Sequence, residues 1–175
     1  MTEPDDINKV KTSLILDEIK RRSGEEKIVD VEEEKVKVVI FSLLNVHYAF
    51  YGADIKEILP PAKIFYIPGS PDFILGVINV RGDIESVINP NRFLGIPDSE
   101  TTHFSRITVA EKNSIKSGVL VDSVEDVLDV PVSSIKPPLS TLNKPLKDYV
   151  TGELIYKNKN VTILDVGKIF EKIVA

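Results

Sequence analysis

In GVINVRGDIESVIN, residues 76 to 89, Asn79, Arg81, Gly82 and Asp83 stand between two apolar stretches, and Arg81 is the only basic residue of the segment. Gly82-Asp83 is turn chemistry, because a tight hairpin needs a residue that tolerates positive φ. The turn does not require Arg81. A guanidinium offers five donors in a rigid fork, suited to a carboxylate or to backbone carbonyls at an interface. Asn79 precedes it by two residues and so shares its face of the strand. Covalent and metal chemistry has far less to work with. The chain has no cysteine, which removes disulfides, thiolate nucleophiles and Cys-based zinc sites, and its two histidines, His47 and His103, stand in separate segments. GxxxxGKS/T, GxGxxG and GxSxG are all absent, so neither a phosphate cradle nor a nucleophile elbow has a home. The residue types point to recognition rather than catalysis, with no cofactor and no metal.

Positioning these residues falls to short β-rich segments that begin at Val36. VVIFSLL and VHYAFYG, separated by little more than Asn45, make a hairpin. IKEIL is a helical turn or a short strand ended by Pro60-Pro61, and GSPDF is turn chemistry before the strands ILGVINV and IESVI. RITVAEK, SGVLVD, VEDVLDV, GELIYK and VTIL supply further strands. Strands this short, with no long helix between them, predict small barrels or a sandwich.

The chain also repeats itself. FILGVINVRGDIESVINPNRFL (73 to 94) lies without gaps over YVTGELIYKNKNVTILDVGKIF (149 to 170), matching Gly76 with Gly152, Arg81 with Lys157 and Gly82 with Asn158. Upstream, ADIKEIL (53 to 59) lies over DSVEDVL (122 to 128). One β unit is therefore duplicated, roughly 36–95 and 104–172, each too small for a large core and packed against the other.

Ahead of the β-region stands a leader of a different kind. In DDINKVKTSLILDEIKRRSG, Ile7, Val10, Leu14, Ile15 and Ile19 recur at helical spacing and predict a short amphipathic helix, followed by the acidic tether EEKIVDVEEEK. Residues 1 to 35 form this leader and 36 to 175 the main domain. The leader carries a net charge of −4 out of −5 for the chain, so the body is close to neutral. A body without a basic block lacks the electrostatic footprint of nucleic-acid binding. No run of 18 apolar residues is present, and the N-terminus has neither the basic flank nor the apolar stretch of a signal peptide, so a cytoplasmic location without membrane insertion is expected.

From FSLLNVHYAF through ADIKEIL, IPGSPDFILGVINVRG, ITVAE, SGVLVDSVEDVLDV, SSIKPP and YVTG to VTILDVGKIF, about residues 37 to 172, the chain resembles the CheW family. These are the coupling proteins of bacterial chemoreceptor arrays, related to the regulatory domain of the CheA kinase. The most specific stretch is PxFxxGVxNxRG, Pro71 to Gly82. The resemblance implies a mainly β fold of two SH3-like five-stranded barrels packed together with short helices. It also implies a non-enzymatic adaptor that joins chemoreceptor cytoplasmic tips to the CheA regulatory domain, and that meets further copies of the coupler, at membrane-associated arrays. Ile55, Glu57 and Ile58 occupy the family's V-x-E-I motif, with Ile55 and Ile58 expected on one side of a helical turn; Asn79 and Arg81 occupy N-x-R-G. With Val127, the second-repeat counterpart of Ile58, these are the receptor-binding residues the resemblance implies. Lys136, Leu139 and Leu142, in IKPPLSTLNKP, are its kinase-binding residues. One stretch departs from the family: Glu85 puts a charge where an apolar residue is common, and Asn89-Pro90 replaces Asp-Leu, where Asn still caps a helix and Pro is tolerated in its first turn. Alternatives are a coupler of a pathway controlling pili or gene expression, or a purine-binding module, for which the sequence holds no phosphate nest or aromatic sandwich.

Overall fold

The computed structural model describes residues 11–19, 21 and 32–175. The chain divides into two units, Met1–Glu34 and Lys35–Ala175. In the first, residues 11–19 form helix α1, on which Leu14, Ile15, Leu16 and Ile19 are exposed, and Arg21 pairs with Glu18 at 3.2 Å. Ile7, Val10, the basic residues Lys20 and Arg22 and most of the acidic tether lie outside the described residues.

In the second unit, β-branched runs become ten strands: β1 (Lys35–Leu43), β2 (Val46–Tyr51), β3 (Ile55–Leu59), β4 (Ile74–Val80), β5 (Asp83–Ile88), β6 (Arg106–Lys112), β7 (Ile115–Val121), β8 (Ser123–Pro131), β9 (Val150–Tyr156) and β10 (Lys159–Leu164). Short helices α2 (Pro90–Leu94), α3 (Lys144–Lys147) and α4 (Val166–Ile173) interrupt them. Four two-residue turns, Leu44-Asn45, Arg81-Gly82, Asn113-Ser114 and Lys157-Asn158, have positive φ at both positions, the geometry whose twist matches that of the flanking strands.

The strands make two five-stranded sheets, β8-β1-β2-β10-β9 and β3-β6-β7-β5-β4. This corrects the expected barrel limits of 36–95 and 104–172. The first sheet joins the hairpin β1-β2 of the first repeat to β8, β9 and β10 of the second, and the second sheet joins β6-β7 of the second repeat to β3, β4 and β5 of the first, so the repeats exchange halves. The internal equivalence survives the exchange. β3 answers to β8, the hairpin β6-β7 to β1-β2, and β4-β5 to β9-β10, and the single parallel pairing of each sheet, β2 with β10 or β7 with β5, falls at the same place.

Each sheet then closes on itself. Beyond β3 the chain returns to the far edge, where Phe65 and Val77 exchange backbone hydrogen bonds of 2.8 and 2.9 Å; beyond β8, Lys136 and Glu153 do the same at the same distances. The aligned glycines of the repeat stand at these closures. A Cβ on Gly76, at φ 146°, would lie 2.2 Å from the Phe65 carbonyl oxygen, and one on Gly152 would lie 2.8 Å from the Ile135 side chain and 3.0 Å from the Lys136 carbonyl oxygen. Only glycine lets the returning backbone approach so closely.

The largest buried cluster takes residues from both sheets. Phe41 and Phe50 from the first sheet meet Ile88 and Val119 from the second, together with Phe93 and Leu94 of α2 and Ile169 and Phe170 of α4. A smaller cluster fills each barrel: Val38, Ile40, Ala49, Val130, Leu154, Val161 and Ile163 in the first, and only Ile78, Val87 and Ile107 in the second. Helix α2 starts at the cap expected for it, and α4 starts at an equivalent one. The Asn89 carboxamide oxygen accepts from the Asn91 amide at 3.2 Å with Pro90 in the first turn, and an Asp165 carboxylate oxygen accepts from the Gly167 amide at 2.8 Å.

Candidate functional site

Residues 55 to 59 form a strand rather than a helical turn, and a bulge does what the turn was expected to do. Ile55 lies opposite Ala110 and Glu57 opposite Val109, which leaves Lys56 as an extra residue; Ile58 then lies opposite Thr108. Thr108 and Ala110 are two apart on β6 and share a face, so Ile55 and Ile58 share one as well. Ile55 packs against the cluster between the barrels, whereas Ile58 is exposed.

Past the bulge, Glu57 meets Arg81. An Arg81 guanidinium N–H donates to Glu57 Oε1 across 24 residues of sequence, so the two motifs that were separate in the chain become one ion pair. The partners differ in exposure: the Arg81 side chain is 81% accessible and that of Glu57 22%. A mostly covered carboxylate thus orients a cation whose side chain is largely open to solvent. Asn79 has a different task. Its side-chain oxygen accepts from the Gly82 amide at 2.8 Å and so fixes the turn on which Arg81 sits. Ile84, the residue paired with Asn79 across the hairpin, is exposed beside this tip.

The internal equivalence yields a counterpart that motif matching had not singled out. β8 carries the same bulge, with Ile40 opposite Asp126 and Phe41 opposite Val124. Asp126 stands where Glu57 does, and it accepts from the Tyr156 hydroxyl at 2.7 Å. Lys157, in the place of Arg81, lies over the Tyr156 ring at 5.2 Å. Its ammonium is held above the usual lysine range, first by Tyr156 and then by the carboxylates of Asp126 and Glu125. The signal that could have found Asp126 was present, since ADIKEIL over DSVEDVL puts it on Glu57. Val127 is exposed beside it.

The other expected residues fall on a different part of the first barrel. Lys136 is the residue that closes it, and its ammonium donates to the Ser133 carbonyl at 3.1 Å. Leu139 is exposed, whereas Leu142 packs against the central cluster. The departures from the family pattern are accommodated locally. Glu85 is largely covered and pairs with Lys116 at 3.0 Å, and this hydrogen bond is the main reason the Lys116 ammonium is held above its ordinary range. Among the described residues, no group of three or more His, Asp or Glu side chains could hold a metal ion, and no helix is long and apolar enough to cross a membrane.

Comparison with known proteins agrees with this arrangement. The CheW-like domain family matches residues 37–174. Chemotaxis protein CheW of Bacillus subtilis is 28% identical over 136 residues, covering 78% of this chain and 87% of that protein. Chemotaxis protein CheW of Thermotoga maritima is 29% identical over 140 residues, covering 80% and 91%. Among solved structures, the scaffolding protein TtCheW of Thermoanaerobacter tengcongensis superimposes with a TM-score of 0.68 at 32% identity, covering 76% of this chain and 86% of that one.

Proposed function

This chain belongs to the CheW family, and from that premise we propose that it couples the cytoplasmic tips of chemoreceptors to the regulatory domain of a CheA kinase. It is a scaffold of the chemotaxis type and not an enzyme. The observation that carries the finer reading is the Glu57–Arg81 ion pair, which unites the V-x-E-I and N-x-R-G positions into one surface beside exposed Ile58. Such a surface suits a receptor helix. Ile58 offers apolar contact, and the largely exposed Arg81 side chain reaches a carboxylate or helix-terminal carbonyls on the partner. Asn79 serves by holding the turn, and Val127 offers similar chemistry from the other barrel.

The kinase, on this reading, meets the first barrel through the segment that closes it, with Lys136 and Leu139 exposed there and Leu142 anchoring the loop to the central cluster. Further copies of this chain join through the same kind of contact, and the complex lies in the cytoplasm at membrane-associated arrays. Calorimetry tests the two surfaces separately. Arg81→Ala is expected to weaken binding to a receptor signalling tip about tenfold or more while leaving kinase binding unchanged. Leu139→Asp is expected to do the reverse. Equal loss of both partners in either variant would refute the division into two surfaces.

A further inference from the structure

We propose that the open end of the second barrel is a binding pocket for an organic ammonium ion with an apolar stem. A cavity of about 310 Å³ lies there, floored by Ile64, Leu75 and Leu120 and rimmed by the linker between α2 and β6. The volume is that of a small-ligand site. Its origin lies in the unequal filling of the two barrels. Leu120 occupies in β7 the position that Tyr51 holds in β2, and Tyr51 packs against the core of the first barrel. Where one barrel end receives an aromatic ring, the other receives a shorter side chain, and its buried apolar cluster is the smaller one, Ile78, Val87 and Ile107.

The rim sets the charge of the ligand. Asp98, Glu100 and Asp122 contribute carboxylates, and no Lys, Arg or His lines the cavity. Their engagements differ. Asp98 is taken by Arg92 at 2.7 Å and by the Asn89 carboxamide at 2.8 Å, and one oxygen of Asp122 accepts the Leu44 amide at 2.7 Å. Glu100 has no hydrogen bond or ion pair among the described residues. An adjoining groove shares Glu100 and Asp122, adds Glu125 and the exposed ring of Phe104, and is also lined by no basic side chain. Arg92 reaches the rim but is committed to Asp98 and Asp72, so the cavity lining offers an anion no free counter-charge. A metal ion is disfavoured as well, since these carboxylates do not form a group that could hold one. What fits an apolar floor under an uncompensated carboxylate is an ammonium group on a hydrocarbon stem. It can come from a free amine or from a lysine side chain of a partner.

The pocket is at the opposite end of the β4–β5 hairpin from the Arg81 turn, since Leu75 and Asn89 stand at the hairpin's base. Binding there is therefore read out separately from the coupling surface. The test is a methyl NMR titration of the full chain with phenethylamine, with acetyl-Gly-Lys-Gly-amide and with neutral 2-phenylethanol. Phenethylamine is expected to shift the Leu75 and Leu120 methyl resonances at about millimolar concentration, with the alcohol at least about fivefold weaker. A shift with the lysine peptide alone would support the pocket and assign it to a protein partner. Glu100→Gln, at the exposed rim where folding is unaffected, is expected to weaken amine binding about fivefold; Leu120→Tyr is expected to abolish it by filling the cavity. If Leu120→Tyr does not fold, Glu100→Gln carries the test. Absence of a shift with both ammonium probes, equal binding of amine and alcohol, or wild-type affinity in Glu100→Gln would each overturn the proposal.

Discussion

Arg81 is placed by the chain, not by its own energetics. Its side chain is mostly exposed, and an exposed ion pair is worth about 0–1 kcal/mol, so the Glu57–Arg81 pair stabilises the fold little. Arg81→Ala is therefore expected to lower the melting temperature by no more than about 4 °C while weakening receptor association. Calorimetry on Glu57→Gln and on the double variant checks the coupling: because Glu57 acts by orienting Arg81, the double variant should lose little more affinity than Arg81→Ala alone, and strictly additive losses would separate the two roles. The sequence made each residue conspicuous through its motif, yet nothing in the spacing joined them. A 24-residue separation has no periodicity to read, and the meeting depends on how β3 and the β4–β5 turn are brought together by the second sheet.

At the scale of elements, strands and turns were largely legible, because each of the four two-residue hairpin turns contains an Asn or Gly that accepts positive φ. The helical-turn reading of IKEIL failed for a physical reason. Two isoleucines three apart suggest a helix, but a bulge also restores them to one face, and it is pairing with β6 that fixes the choice. Gly76 gives a sharper test of the closure, with Gly82 as its control. Gly76 and Gly82 both have positive φ, but a Cβ on Gly82 would meet nothing within 4 Å while one on Gly76 would strike the Phe65 carbonyl. Thermal melts should show Gly82→Ala costing about 1 kcal/mol and Gly76→Ala about 3 kcal/mol or more, a fall of roughly 10 °C for the latter. Similar costs at the two positions would mean that the closing contact contributes nothing.

For the whole molecule, the duplication was visible in the sequence but the exchange of halves was not, since the repeat reads the same whether strands pair within it or across it. The exchange makes the fold cooperative: neither repeat contains a complete sheet, and the largest buried cluster draws on both. Fragments 35–95 and 104–175 should each lack a cooperative unfolding transition by circular dichroism and regain one on mixing, whereas a folded single fragment would contradict the exchanged topology. The same architecture holds the proposed receptor and kinase surfaces within one compact unit, which is what a coupler requires. The most direct test is co-sedimentation of this chain with membranes bearing a chemoreceptor signalling tip and with a CheA kinase encoded by the same genome. Wild type is expected to bring the kinase down with the receptor, and folded Arg81→Ala to leave both this chain and the kinase in the supernatant. Kinase that sediments equally well without this chain, or a wild-type chain that binds neither partner, would contradict the account.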